Sequence, residues 1–156
     1  MLHGKGALRF MFADLDHLYR FPTRAAIDAL AIRFNLPNTK NMQDWEYEVA
    51  DANRIDEFLA AYDSGELSED EKFTLMAMLL QSSCDAIDKD ENFLRSENWT
   101  QFLDLLERDI DIHIHLVWYW SCTDTEDLSD AWSITPFIRP ILLRHQEKFS
   151  AICSPI

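Results

Sequence analysis

Apolar positions along this chain recur mostly at helical spacing. Between Thr23 and Phe34 the residues Ile27, Leu30, Ala31 and Phe34 fall at i, i+3, i+4 and i+7, the stripe of a helix with one buried face. Thr23 stands where a capping hydroxyl belongs, and Asn35 followed by Pro37 supplies the stop. Ile55, Phe58, Leu59 and Tyr62 repeat the pattern, and Gly65 is placed to end that helix in a left-handed conformation. Ser68-Glu69-Asp70-Glu71 ahead of Phe73 has the form of a capping box, in which the Ser68 hydroxyl and the Glu71 carboxylate satisfy backbone donors the first turn leaves unpaired. The helix it opens is expected to reach Asp85.

The greatest apolar mass lies in Trp99 to Cys122, WTQFLDLLERDIDIHIHLVWYWSC, and this stretch is expected to be the element around which the others pack. Its first half is helical in spacing (Trp99, Phe102, Leu103, Leu106, Ile110), with Ser96 or Asn98 as cap. From Asp109 to Leu116 the pattern changes: Ile110, Ile112, Ile114 and Leu116 alternate with Asp109, Asp111, His113 and His115, as in a strand. A lone strand leaves its ladder groups unpaired, so this reading needs partners. Two segments alternate as well: 7–12, with Leu8, Phe10 and Phe12, and 44–49, with Trp45, Tyr47 and Val49, although Met42, Trp45 and Val49 also fit a helical face. Continued helix is preferred, giving an all-α, multi-helix bundle. The alternative is an α+β fold with a small sheet from 7–12, 44–49 and 109–116. Pro140, within PFIRPILLRHQ, is expected to prevent an undisturbed final helix, and the tail after about residue 149 to be loose.

The length of 156 residues suits one domain, 1–156, and at that size folding buries roughly 68 to 70% of the unfolded surface. With 47% apolar residues, among them ten Phe, five Trp and four Tyr, the chain has the material for a core. Charge adds more. Twenty-eight acidic residues against fourteen basic give a net −14, and the imbalance is local. Residues 1–40 hold six basic and three acidic groups, 41–130 five and twenty-four, and 131–156 three and one. A field of that sign repels nucleic-acid phosphates and anionic membranes and attracts a basic protein. Cys84, Cys122 and Cys153 are widely spaced without a CxxC pair, which fits reduced thiols in a core. The N-terminal apolar run stops at Asp14, too short for a signal peptide, and no run approaches 18 apolar residues, so a cytoplasmic protein is expected.

Candidate chemistry is sparse. Asp14-Leu-Asp16 after an apolar run is similar to the nucleophile motif of haloacid-dehalogenase-type phosphatases, but Leu18 stands where that family has threonine, and the alternating βα pattern is missing. These aspartates read better as solvated groups at a helix start. Asp109, Asp111, His113 and His115 would share a face on a strand and there offer metal ligands; on a helix they split into i, i+4 pairs and read as a polar face. There is no GxSxG, P-loop, GxGxxG or HExxH, so neither enzymatic activity nor a cofactor is expected. The clusters Trp118-Tyr119-Trp120 and Trp45-Glu46-Tyr47 read as core.

The blocks NMQDWEYEVADANRIDEFLAAYDSGELSEDEKFTLMAML (41–79) and VWYWSCTDTEDLSDAWSITPFIRPIL (117–142) resemble small acidic bacterial immunity proteins encoded beside polymorphic or contact-dependent growth-inhibition toxins. The resemblance implies a cytosolic, non-enzymatic inhibitor of a cognate toxin domain, often a cationic nuclease. It supplies no residue set; the residues of this chain nominate the acidic loop Asp124, Glu126, Asp127 and Asp130, a second patch of Glu46, Glu48 and Asp51, and Trp45 and Trp132 as anchors. Rival readings are a general interaction or adaptor domain and, behind it, a small metal-dependent enzyme.

Overall fold

The computed structural model describes residues 11–153, with side chains as far as Ser150, and among these the only regular elements are helices. The all-α fold is thus the observed one. In chain order the α-helices are α1 (Arg24–Phe34), α2 (Trp45–Glu48), α3 (Ile55–Asp63), α4 (Glu69–Lys89), α5 (Glu97–Arg108), α6 (Ile110–Trp120) and α7 (Thr135–Cys153). The local signals act as their chemistry requires. Thr23 Oγ1 accepts the Ala26 N–H at 3.1 Å, and Asn35 closes α1 at φ 54°. Gly65 follows α3 at φ 79°. Ser68 Oγ accepts the Glu71 N–H at 3.2 Å while Glu71 Oε1 accepts the Ser68 N–H at 2.8 Å, completing the capping box. Ser96 caps α5 through the Trp99 N–H at 3.2 Å.

The chain divides into two compact units, residues 21–109 and residues 1–20 with 110–156. In the first, α4 is the centre: every residue from Phe73 to Leu80 is buried, then Ser82, Ser83, Cys84, Ala86 and Ile87. A helix apolar on all sides needs cover on all sides, and α1, α2, α3 and α5 pack on it. It runs beyond the expected Asp85 to Lys89. Arg54 joins α1 to α3, its Nη2 donating to the Phe34 carbonyl at 2.7 Å and to Glu57 at 2.7 Å. The Tyr62 hydroxyl donates to Asp109 Oδ2 at 2.7 Å, and Arg108 (3.2 Å) and Lys72 (3.9 Å) flank the same oxygen. Burial pushes the Asp109 carboxyl up, but the Tyr62, Arg108 and Lys72 groups outweigh it and hold the carboxyl below its ordinary value.

This arrangement corrects the expectation that Trp99 to Cys122 is one packing axis. The stretch is two helices, interrupted at Asp109, where φ −108° and ψ 36° leave the helical region. The alternating half, 109–116, is not a strand, and neither is 44–49, whose core is the short helix α2. Positions 7–10 of the third alternating segment lie outside the described residues; Met11 and Phe12 form no strand. The preferred helical reading holds and the strand alternative does not, because His113 and His115 are not surface residues: both are buried beside Ile114, Leu116 and Val117. Counted as core, they turn an alternation into a helix buried nearly all round.

In the second unit α6 packs on α7, and a 3-10 turn at Asp16–Leu18 packs on α6. Gln146 of α7 grips the preceding segment with both ends of its amide, accepting the Ala13 N–H and donating to the Met11 carbonyl, each at 2.8 Å. Lys148 reaches Asp111 at 2.6 Å. Pro140, expected to disturb the final helix, lies within α7. Its missing N–H would have served the Pro136 carbonyl, and both prolines are exposed, so water can take the vacant acceptor. The backbone of α7 is helical to Cys153, and the remainder of the expected loose tail lies outside the described residues.

Candidate functional site

The acid-rich stretch between α6 and α7 is held rather than slack. Beyond Trp120 the chain turns through Cys122 at φ 47°, a left-handed conformation that a non-glycine residue adopts at a cost. Three bonds from one side chain hold it. Arg139 Nε donates to the Ser121 carbonyl at 2.7 Å, and its Nη2 to the carbonyls of Cys122 at 2.9 Å and Thr125 at 2.6 Å. The Thr135 hydroxyl donates to the Trp120 carbonyl at 2.9 Å. Farther on, Asp127 Oδ1 accepts the Ser129 N–H (2.9 Å) and hydroxyl (2.8 Å), starting a 3-10 turn at Leu128–Asp130; these bonds hold the Asp127 carboxyl below its ordinary value.

These constraints border an open pocket of about 950 Å³ between the 12–16 segment, the end of α6 and the loop. Its walls include Phe12, Trp118, Tyr119 and Trp132, together with Asp14, Asp16, Asp124 and Asp130, and among the described residues no Lys or Arg. Trp132 is 37% exposed and rests on the rings of Trp120 (4.5 Å between centroids) and Tyr119 (5.3 Å), so its position is fixed while part of its surface faces solvent. Trp118 packs on His115 at 5.4 Å, and Tyr19 meets the same imidazole edge-on at 5.3 Å. Burial lowers the His115 pKa, opposed by the charge of Asp16, which favours a neutral ring beneath this wall.

The nominated residues part company here. Asp124, Asp130 and Trp132 come together on the pocket; Glu126 and Asp127 are exposed on the same loop but do not line it. Glu46, Glu48, Asp51 and Trp45 belong to the other unit. Trp45 is no surface anchor: it is 2% exposed, and its indole N–H donates to the Pro37 carbonyl at 2.7 Å. Glu46 is buried as well, and burial, with help from Asp44 and Glu48, pushes its carboxyl up against the pull of a backbone hydrogen bond. Glu48 is exposed and accepts the Asp44 N–H; Asp51 is half-buried and caps a 3-10 turn through the Asn53 N–H. The second patch is therefore mostly engaged in its own fold.

Asp14 and Asp16 were not nominated, and the structure sets them across the pocket from the loop. Their one signal in the sequence was the Asp-x-Asp pair, and nothing local announced a partner more than a hundred positions away. Asp14 Oδ1 accepts the Asp16 N–H at 3.0 Å. No ion pair among the described residues involves Asp14, Asp16, Asp124 or Asp130. The Asp109–His115 set does not converge: Asp109 serves Tyr62 and Arg108, Asp111 pairs with Lys148, and the histidines are buried. Among the described residues no group of three His, Cys, Asp or Glu is placed to hold a metal ion, and no helix is long and apolar enough to cross a membrane. Comparison with protein-family models, curated proteins and solved structures returns no match.

Proposed function

We propose that this chain is an immunity-type inhibitor, a non-enzymatic cytoplasmic protein that binds a cognate basic toxin domain and neutralises it by covering its active site or substrate path. One observation carries the reading: four aspartates with no cationic partner among the described residues line one aromatic-walled pocket, in a chain where several other acids are occupied by caps and ion pairs. Unpaired carboxylates repel each other, and a partner's positive charge relieves that repulsion on binding. The net −14 extends the attraction beyond contact and raises the association rate. A stable complex of ordinary size buries about 1,600 Å² in total, more than the pocket alone offers, so exposed Glu126 and Asp127 fall within its reach as rim contacts.

The test is co-expression with the protein encoded beside it. The inhibitor restores growth to cells producing that protein, and the purified pair associates at a rate that falls steeply with salt while dissociation changes little. Absence of both rescue and complex refutes the reading. A stable complex with a harmless partner would instead identify a general interaction domain.

A further inference from the structure

We infer that the pocket between Asp14, Asp16, Asp124, Asp130, Tyr119 and Trp132 is a receptor for an arginine side chain presented by a protein partner. Three features of the pocket select that group. First, among the described residues its charge is of one sign, with four carboxylates and no lining cation. The Arg139 guanidinium, which clamps the loop, is spent on the carbonyls of Ser121, Cys122 and Thr125 and is stacked over the Phe12 ring at 5.7 Å. Second, the walls are aromatic as well as acidic. A guanidinium is flat, weakly hydrated and polarises well against an indole or phenol face, whereas an ammonium is compact and strongly hydrated. Third, those faces are pre-set: Trp132 lies on Trp120 and Tyr119, and Tyr119 meets Trp120 at 6.1 Å, so little side-chain freedom remains to be lost on binding.

Size fits the same occupant on a chain rather than as a free small cation. A volume of about 950 Å³ lies at the upper end of ordinary ligand pockets and admits an arginine together with neighbouring residues of the segment that carries it. The carboxylates enter from two separate stretches, 14–16 and 124–130, so the guanidinium fork can be met from more than one side. The inference draws on the proposed basic partner only for the source of the arginine; the pocket's preference for guanidinium stands without it.

The experiment uses N-acetyl-arginine methylamide as probe, with the uncharged citrulline analogue and the lysine analogue beside it, titrated into the full chain while indole N–H signals are followed by NMR. The arginine probe is expected to saturate with a millimolar-range dissociation constant and to shift the Trp132 and Trp118 indoles, with lysine weaker and citrulline not saturating. Asp124→Asn with Asp130→Asn should weaken the probe by about fivefold or more, while Glu91→Gln with Glu97→Gln, the same charge change on the other unit, should leave it within about twofold. Trp132→Phe should weaken it less than Trp132→Ala, and the aspartate pair keeps the test valid if the alanine variant does not fold. Citrulline binding as well as arginine, equal loss from the remote pair, or no saturation overturns the inference. Arginine binding without rescue in the growth assay removes the immunity reading and leaves the pocket; rescue that survives Asp124→Asn with Asp130→Asn does the reverse.

Discussion

Replacing Arg139 is the sharpest test of how the acidic loop is built. Its guanidinium donates three hydrogen bonds to main-chain carbonyls at 2.6 to 2.9 Å, and hydrogen bonds from a charged group contribute roughly 1.5 to 3 kcal/mol each when counted singly. They do not add. One side chain is ordered once for all three, and the carbonyls of Cys122 and Thr125 sit on half-buried residues where water can replace a lost donor. Ser121 is fully buried, so its carbonyl bears most of the penalty. Arg139→Met, which keeps the aliphatic stem over Phe12 but not the charge, is therefore expected to cost about 3 kcal/mol. Arg139→Lys, with one ammonium unable to span three carbonyls, should cost about half as much. Urea denaturation followed by circular dichroism measures both. Limited proteolysis between α6 and α7 should show faster cleavage in the methionine variant, because Cys122 loses a restraint on its left-handed conformation. A cost under about 1 kcal/mol with unchanged cleavage would refute the account of Arg139 as the loop's clamp.

Glu46→Gln should stabilise the protein at neutral pH by up to about 1 kcal/mol, since burial disfavours the ionised carboxylate. The folded pKa lies above the unfolded one, so the native penalty builds as pH rises through the carboxylate range and vanishes below it; thermal melts of both proteins should converge in acid. Tyr62→Phe should cost about 1.5 to 2 kcal/mol, the low end for a hydrogen bond to a charged group, because Arg108 and Lys72 still face Asp109. Asp109 titrates the other way: its folded pKa is depressed, so its stabilisation is present above the ordinary carboxyl value and is lost as pH falls through the folded one. The difference between wild type and Tyr62→Phe should accordingly shrink in acid denaturation.

Most helix ends were legible because they depend on neighbours in sequence. Thr23, Ser68 with Glu71, and Ser96 each satisfy backbone groups within four residues, and each does so in the structure, while Gly65 follows α3 in the left-handed conformation expected of it. What could not be read depends on burial, which is a property of the whole fold. Histidine is ambiguous between surface and core, and two of them kept a strand alternative open at 109–116 beside the preferred helix. Trp45, in a cluster read as core and yet also nominated as an anchor, lies in the core, since an indole is drawn into any core that can also satisfy its N–H, and the Pro37 carbonyl does. Pro140 broke a rule whose force depends on whether water reaches the carbonyl it deprives. In the pocket, the loop half was visible as a run of acids and the 14–16 half was not, because only the packing of the 12–18 segment on α6 and its clamp by Gln146 bring the two together.

If the proposed reading holds, net charge by itself points to the wrong part of the molecule. Residues 21–109 hold twenty acidic and eight basic groups, against eight and six in the other unit, yet much of that excess has structural work. Asp51 and Asp90 cap 3-10 turns, Glu71 closes a capping box, and Glu57, Asp63, Glu66 and Asp109 pair with arginines or the Tyr62 hydroxyl. A carboxylate already bonded to its own chain has less to gain from a partner, since binding must first offset what it gives up. The less acidic unit holds the four aspartates that no cation among the described residues serves, set against aromatic faces that lose little freedom on contact. On the proposed reading, the larger excess would act at a distance, raising the encounter rate with a basic protein, while the pocket would decide which group is retained. Neutralising exposed acids of the 21–109 unit should therefore slow association, whereas changes at Asp124, Asp130 or Trp132 should speed dissociation.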